Sequence, residues 1–109
     1  MHVKPALHLF PVLAFAICTA NTQAADGKAL FEEHCASCHG ADGKGRTPAG
    51  KKLGAKDLTE SKAAEADIIR QILDGTKDTK GKARMPALRE KLSTDDASAL
   101  AAFVKTFRK

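Results

Sequence analysis

Cys35-Ala36-Ser37-Cys38-His39 sets two thiols three positions apart, with an imidazole directly behind the second. Each thiol can add to a haem vinyl group, and the histidine is then placed to ligate the iron from one side. This is the spacing of covalent c-type haem attachment. Two other uses of a Cys-x-x-Cys pair compete with it. A thioredoxin-like redox pair sits in a strand-rich βαβ setting, and no strand pattern flanks this motif. A zinc half-site needs two further ligands, which the sequence does not supply.

The ends of the chain decide which other side chains can take part. Lys4 carries a positive charge, an apolar run extends from Leu9 to Ala20, and Thr22-Gln23-Ala24 presents small residues where a signal peptidase reads. The apolar run is short for a bilayer span. Residues 1–24 therefore read as a cleaved export signal and residues 25–109 as one mature domain in the periplasm. Cys18 lacks the small residues that precede a lipidated cysteine and reads as a filler of the signal. After cleavage, Cys35 and Cys38 are what remains of three cysteines, His34 and His39 of four histidines, and Met85 of two methionines. A domain this small buries little core of its own and needs a staple or a cofactor. An enclosed haem meets both needs.

With haem attached, the second face of the iron needs a ligand from a distant part of the chain. His34 adjoins Cys35 on the attachment side and cannot swing round. Met85 is the remaining soft or imidazole donor, and Pro86 behind it removes a backbone donor and stiffens the segment. A His39/Met85 pair raises the reduction potential relative to two histidines. It also fills both axial positions, which suits an electron carrier and not an enzyme. The alternative is a haem sensor or enzyme with an open sixth site.

Three helices and no strands are expected around these residues, making the domain all-α. The first starts at the N-cap Asp26 and runs to about Cys35, with Leu30, Phe31 and His34 on one face. The second covers about Lys62 to Asp74, carries the stripe Ile68, Ile69, Ile72 and Leu73, and ends at Gly75. The third follows Ser93, with Asp96 completing a capping box, and runs to about Phe107 through Ala97, Leu100, Ala101 and Val104. Two long polar loops, Gly40 to Leu58 and Thr76 to Arg84, join them. Loops of this length in a compact domain usually wrap around something or carry function.

The opening DGKALFEEHCASCHG, the helix end ILDG, the segment RMP and the terminal LAAFVKTF resemble a small class I c-type cytochrome over the whole mature chain. The resemblance implies an all-α fold with long loops around one covalent haem c, His39 as proximal and Met85 as distal ligand. It implies a crossing of first and last helices through Gly27 and Phe31 against Phe103. It also implies that the carbonyl of Pro48 accepts a hydrogen bond from His39, against the plainer reading of Pro48 as a turn residue. With no Trp and no Tyr, the haem propionates fall to basic groups, for which Arg46, Lys51, Lys52 and Arg70 are candidates, or to backbone amides.

Without Lys4 the mature chain carries 17 basic and 13 acidic side chains, formally +4. Lys44, Arg46, Lys51 and Lys52 follow the attachment motif, and Lys77, Lys80, Lys82 and Arg84 lead into Met85. A charge run is commonly just a solvated face. Here both runs flank segments expected to hold the haem, which points to acidic redox partners steered by a positive rim. No aromatic interleaving supports nucleic-acid binding, no stable membrane insertion of the mature chain is expected, and the chain is read as a monomer.

Intact-mass spectrometry of protein exported by a host that attaches c-type haem is expected to read residues 25–109 plus one haem. Replacing Cys35 and Cys38 together by Ala removes the added mass, and Cys35→Ala alone leaves at most one thioether. A wild-type chain without haem mass, or an acylated Cys18 at its N-terminus, contradicts this reading.

Overall fold

Asp26 opens the first helix in the way its sequence context suggests. In the computed structural model, which describes residues 2–8, 10–12, 14 and 26–109, its carboxylate accepts the amides of Lys28 and Ala29. Helix α1 then runs Gly27–His34. Cys35 interrupts it, and a single further turn, α2, covers Ala36–His39. Cys18 and the segment Thr22-Gln23-Ala24 lie outside the described residues. No helix among the described residues is long and apolar enough to cross a membrane.

The span expected to be one loop, Gly40 to Leu58, contains a helix. Thr47 caps α3, Pro48–Leu53, by accepting the amide of Gly50 at 2.9 Å, and Pro48 takes the first turn, where its missing donor costs nothing. Gly54 ends α3 in the left-handed region at φ 70°. A 3-10 turn at Leu58–Glu60 follows, capped by Asp57. Helix α4, Glu65–Asp74, begins three residues later than its apolar stripe suggested. The reason is local: Ala64 is extended at ψ 151°, and Arg108 donates to the carbonyl of Ala63, holding this segment outside the helix.

The second expected loop, Thr76 to Arg84, is a small antiparallel hairpin of β1, Thr76–Lys77, and β2, Ala83–Met85. The expectation of no strands is corrected here. Its turn is organised by Asp78, whose Oδ1 accepts the amides of Lys80 and Lys82, each at 2.9 Å. Such a side-chain-built turn needs no apolar alternation to form. Helix α5, Thr94–Lys105, starts with the full capping box between Ser93 and Asp96.

The core lies where α1 and α4 pack on α5. Phe31 of α1, Ile68, Ile72 and Leu73 of α4, and Ala97, Leu100, Ala101 and Val104 of α5 are all buried there. Leu88 and Leu92, from the segment after Met85, close it. Glycine at position 27 permits the α1–α5 crossing, because a Cβ there meets the carbonyl of Ala99 and lies 3.0 Å from Cβ of Phe103. Phe31, Phe103 and Phe107 form a triangle of rings with centroids 5.1–5.3 Å apart, Phe31 tilted against both partners and Phe103 edge-on to Phe107. Each such pair contributes about 0.5–1.5 kcal/mol beyond its burial.

Phe31, at 1% exposure, is the most deeply buried ring of that triangle. Phe31→Ala is expected to cost about 3–5 kcal/mol, whereas Ser93→Ala, which removes a helix cap, costs about 1 kcal/mol. Denaturant unfolding of the purified, haem-loaded protein measures both. Equal losses would show that the aromatic triangle does not anchor the fold.

Candidate functional site

The residues of the attachment motif lie on the short helix α2 and on the break before it. Cys35 is buried at 8% exposure, Cys38 is half-buried, and both thiols are free. Burial, with a smaller contribution from neighbouring Cys38, pushes the Cys35 thiol up to about 11. It is therefore a neutral thiol at ordinary pH, and its desolvation is what a buried thioether to an apolar ring requires.

His39 ends α2, half-buried, with Nδ1 lying 3.2 Å from the carbonyl oxygen of Lys56. A carbonyl only accepts, so Nδ1 carries the proton and Nε2 is left with its lone pair. Burial lowers the imidazole's proton affinity, partly offset by the bond to Lys56. The ring is thus neutral, in the tautomer that presents Nε2 to a metal, and fixed in orientation by a backbone acceptor. The carbonyl expected for this role, that of Pro48, does not take it. Pro48 lies in the first turn of α3, where its carbonyl points along the helix toward the following turn. The chain bearing Lys56 passes the ring instead.

The placement of Lys56 is built from several contacts. The amide of Ala55 bonds the carbonyl of Gly50 at 2.8 Å, and Asp57 accepts both the amide and the hydroxyl of Thr59, at 2.9 and 2.6 Å. These bonds from Thr59 hold the Asp57 carboxyl below the usual range. Gly45, at φ 71°, lies so close that a Cβ would come within 2.8 Å of the Ala55 carbonyl and 3.1 Å of that of Lys56. On the other side of α2, the Thr47 hydroxyl lies 2.8 Å from the carbonyl of Ser37 and 2.9 Å from that of Cys38. A Cβ on Gly50 would run into the Cys38 carbonyl. Helix α3 is therefore a backing plate for the attachment motif. Thr47, Gly50 and Lys56 are functional positions that the attachment motif itself does not mark, and only Thr47-Pro48, a helix-start signal, announces them in the sequence.

Met85 ends β2, half-buried and packed against the core. Thr76 is its partner across the hairpin. Gly75, at φ 71°, lies under it, and a Cβ there would come within 2.5 Å of the Met85 carbonyl. Just downstream, the amides of Leu88 and Arg89 take the last carbonyls of α4, those of Ile72 and Leu73, at 3.1 Å each. The Met85 backbone is thus pinned on both sides. His34 lies at the end of α1 with Nε2 3.8 Å from a Glu33 oxygen. Of the propionate candidates, Arg46, Lys51 and Lys52 are exposed on or before α3, while Arg70 is paired with Asp67 on α4 at 2.9 Å.

The cytochrome c family model matches residues 24–108. The chain belongs to the cytochrome c family. It is 38% identical to cytochrome c6 of Microcystis aeruginosa over 80 residues, covering 72% of this chain and 90% of that protein. A cytochrome c6 of Anabaena variabilis is 37% identical over 79 residues, covering 85% of that protein. The FixP subunit of a cbb3-type cytochrome c oxidase from Rhizobium meliloti (strain 1021) is 35% identical over 78 residues, a quarter of its length. Among solved structures, the c-type cytochrome KustC0563 superposes with a TM-score of 0.66 at 35% identity, covering 77% of this chain and 99% of that one.

Covalently bound haem c is the cofactor of this family, and the side chains of the cytochrome fit it. Two free thiols stand on one helical turn, an imidazole Nε2 is left open by its backbone bond, and a thioether is held on a fixed strand. When bound, the group supplies an iron that takes up and releases one electron. The protein's part is to keep His39 neutral and oriented and to fix the Met85 backbone.

Gly50→Ala is expected to lower the melting temperature of the haem-loaded cytochrome. The added methyl overpacks α3 against α2, at about 1–3 kcal/mol, or roughly 4–8 °C per kcal/mol in a domain of this size. Ala49→Ser, at the exposed neighbouring position, should stay within about 0.5 kcal/mol of wild type. Matching melting temperatures for the two variants would show that α3 does not brace the attachment motif.

Proposed function

We propose that this cytochrome is an exported one-electron carrier between redox enzymes, not itself an enzyme. In this reading Cys35 and Cys38 form the thioethers to haem, His39 is the proximal ligand and Met85 the distal ligand. The observation that carries it is the fixation of Met85. A methionine that only fills space needs no such scaffold, whereas this one ends a strand, pairs with Thr76, and rests on a glycine that admits its backbone. Two strong-field ligands leave no open position for a substrate.

Export after Ala24 is supported by the described part of the leader, in which Val3, Leu7, Phe10 and Val12 are 85–91% exposed and contribute nothing to the core. Acidic redox partners are supported by the surface. Lys51, Lys52, Lys77, Lys80 and Lys82 are all exposed, and the hairpin lies beside the end of α3 through a bond from Arg84 to the Leu53 carbonyl. That bond sets the segment carrying the second basic run beside the helix carrying the first. Basic charge gathered in this way accelerates encounter with an acidic docking site at low ionic strength. The likeness of a segment of a cbb3-type oxidase subunit suits a carrier that meets respiratory enzymes.

Oxidised wild-type protein is expected to show the weak near-infrared band of thioether sulfur on ferric haem. Met85→Ala abolishes the band, opens the iron to imidazole and carbon monoxide, and lowers the reduction potential, while far-ultraviolet circular dichroism changes little. A wild-type protein that lacks the band and binds these ligands as readily as Met85→Ala is an open-site haem protein, and the carrier reading fails.

A further inference from the structure

One basic residue of the hairpin is engaged where, among the described residues, the side chains of Lys77, Lys80 and Lys82 enter no ion pair. Arg84 Nη1 donates to the carbonyl of Leu53 at 3.2 Å, across 31 positions of sequence. Leu53 is the last residue of α3, so this carbonyl has no partner inside its own helix, and an arginine is a suitable donor for it. The same guanidinium sits with Nε 3.6 Å from Asp78 Oδ2. The other oxygen of Asp78 organises the hairpin turn. Arg84 thus joins the hub of the hairpin to the end of α3. Gly54 turns the chain away beneath it, and a Cβ there would lie 3.2 Å from Nη1.

We propose that Arg84 is a positioning residue for Met85, clamping the Met85 arm to the strip Leu53–Lys56 that also orients His39, so that one short segment governs both sides of the iron. The inference rests on ligation by Met85 as read above. Alternation along β2 is what makes the clamp effective. Arg84 is exposed and Met85 half-buried, as expected for neighbours on opposite faces of a strand. The guanidinium grips from outside while the thioether faces in. The strip it grips has little freedom: three residues after Leu53, the Lys56 carbonyl accepts the hydrogen bond from His39 Nδ1, and Gly45 packs against the intervening backbone. Lysine lacks the planar fork needed to serve the Leu53 carbonyl and Asp78 together.

The prediction is read with imidazole as a probe that binds ferric iron only when Met85 has left. Its apparent affinity therefore scales with the population of the open arm. Arg84→Ala in the haem-loaded protein is expected to tighten imidazole binding about fivefold, a size set by the partial exposure of the pair. Arg84→Lys should fall between this and wild type. Lys82→Ala removes the same charge from the same hairpin, but its side chain enters none of the hydrogen bonds or ion pairs among the described residues. It should leave the affinity within about 1.5-fold of wild type. The near-infrared sulfur band persists in every one of these variants at neutral pH.

Equal imidazole affinities for Arg84→Ala and Lys82→Ala overturn the clamp, because only loss of charge is then at work. If Arg84→Ala does not accumulate with haem, Arg84→Gln decides: affinity at the Lys82→Ala level also overturns it, and a rise of about fivefold supports it. A wild-type protein without the sulfur band overturns the ligation of Met85 instead. The two failures are thus distinguished by a single spectrum.

Discussion

The close passage of α1 over α5 is the constraint on which the rest of the fold depends. Gly27 lets the helix backbones meet at Ala99, and that approach brings Phe31 between Phe103 and Phe107. Helix α4 then docks on α5 through Ile68, Ile72 and Leu73. Among the described residues, α5 is the helix on which both α1 and α4 chiefly pack. Because α1 continues into the break at Cys35, its docking also fixes the start of the attachment motif. Because α4 ends at Gly75, its docking fixes the start of the hairpin that carries Met85. Both expected ligand arms hang from one pair of helix contacts.

What lies between those arms is held by polar backbone contacts instead of core packing. Thr47 serves three partners: it caps α3 and lies against two carbonyls of α2. The Lys56 carbonyl selects the tautomer of His39, and Asp57 and Thr59 brace the turn that follows. Each bond is worth only about 0.5–1.5 kcal/mol net. Their value lies in direction, since they fix which nitrogen, which carbonyl and which face are presented. A small domain that leaves much of its interior to a cofactor has to place its donor atoms by such means.

The legibility of the chain divides along the same line. Asp26, Ser93 with Asp96, and Gly75 act through their own side chain or its absence, and the helix ends they mark were readable as such. Gly27, Phe31 and Phe103 meet as the family resemblance implied. Helix α3 was missed because its residues carry no apolar stripe; only Thr47-Pro48 announces it. The hairpin was missed because strands of two and three residues are too short to show a period, and its turn is built by the Asp78 carboxylate. The partner of His39 was not readable at all. A backbone carbonyl is supplied by every residue type, so nothing in the identity of Lys56 marks it, whereas proline at position 48 drew the assignment by analogy.

The aromatic triangle also governs when the chain can fold. Phe31 belongs to the first helix of the domain, Phe103 to the last and Phe107 to the turn just after it, so the central contact spans nearly the whole domain sequence. Closing so distant a contact is entropically late. Until α5 exists, α1 has nothing to bury Phe31 against, and α4 has no surface for its isoleucines. The order of the chain therefore leaves the segment Cys35 to His39, which follows α1, without its docked neighbour until the last helix is in place.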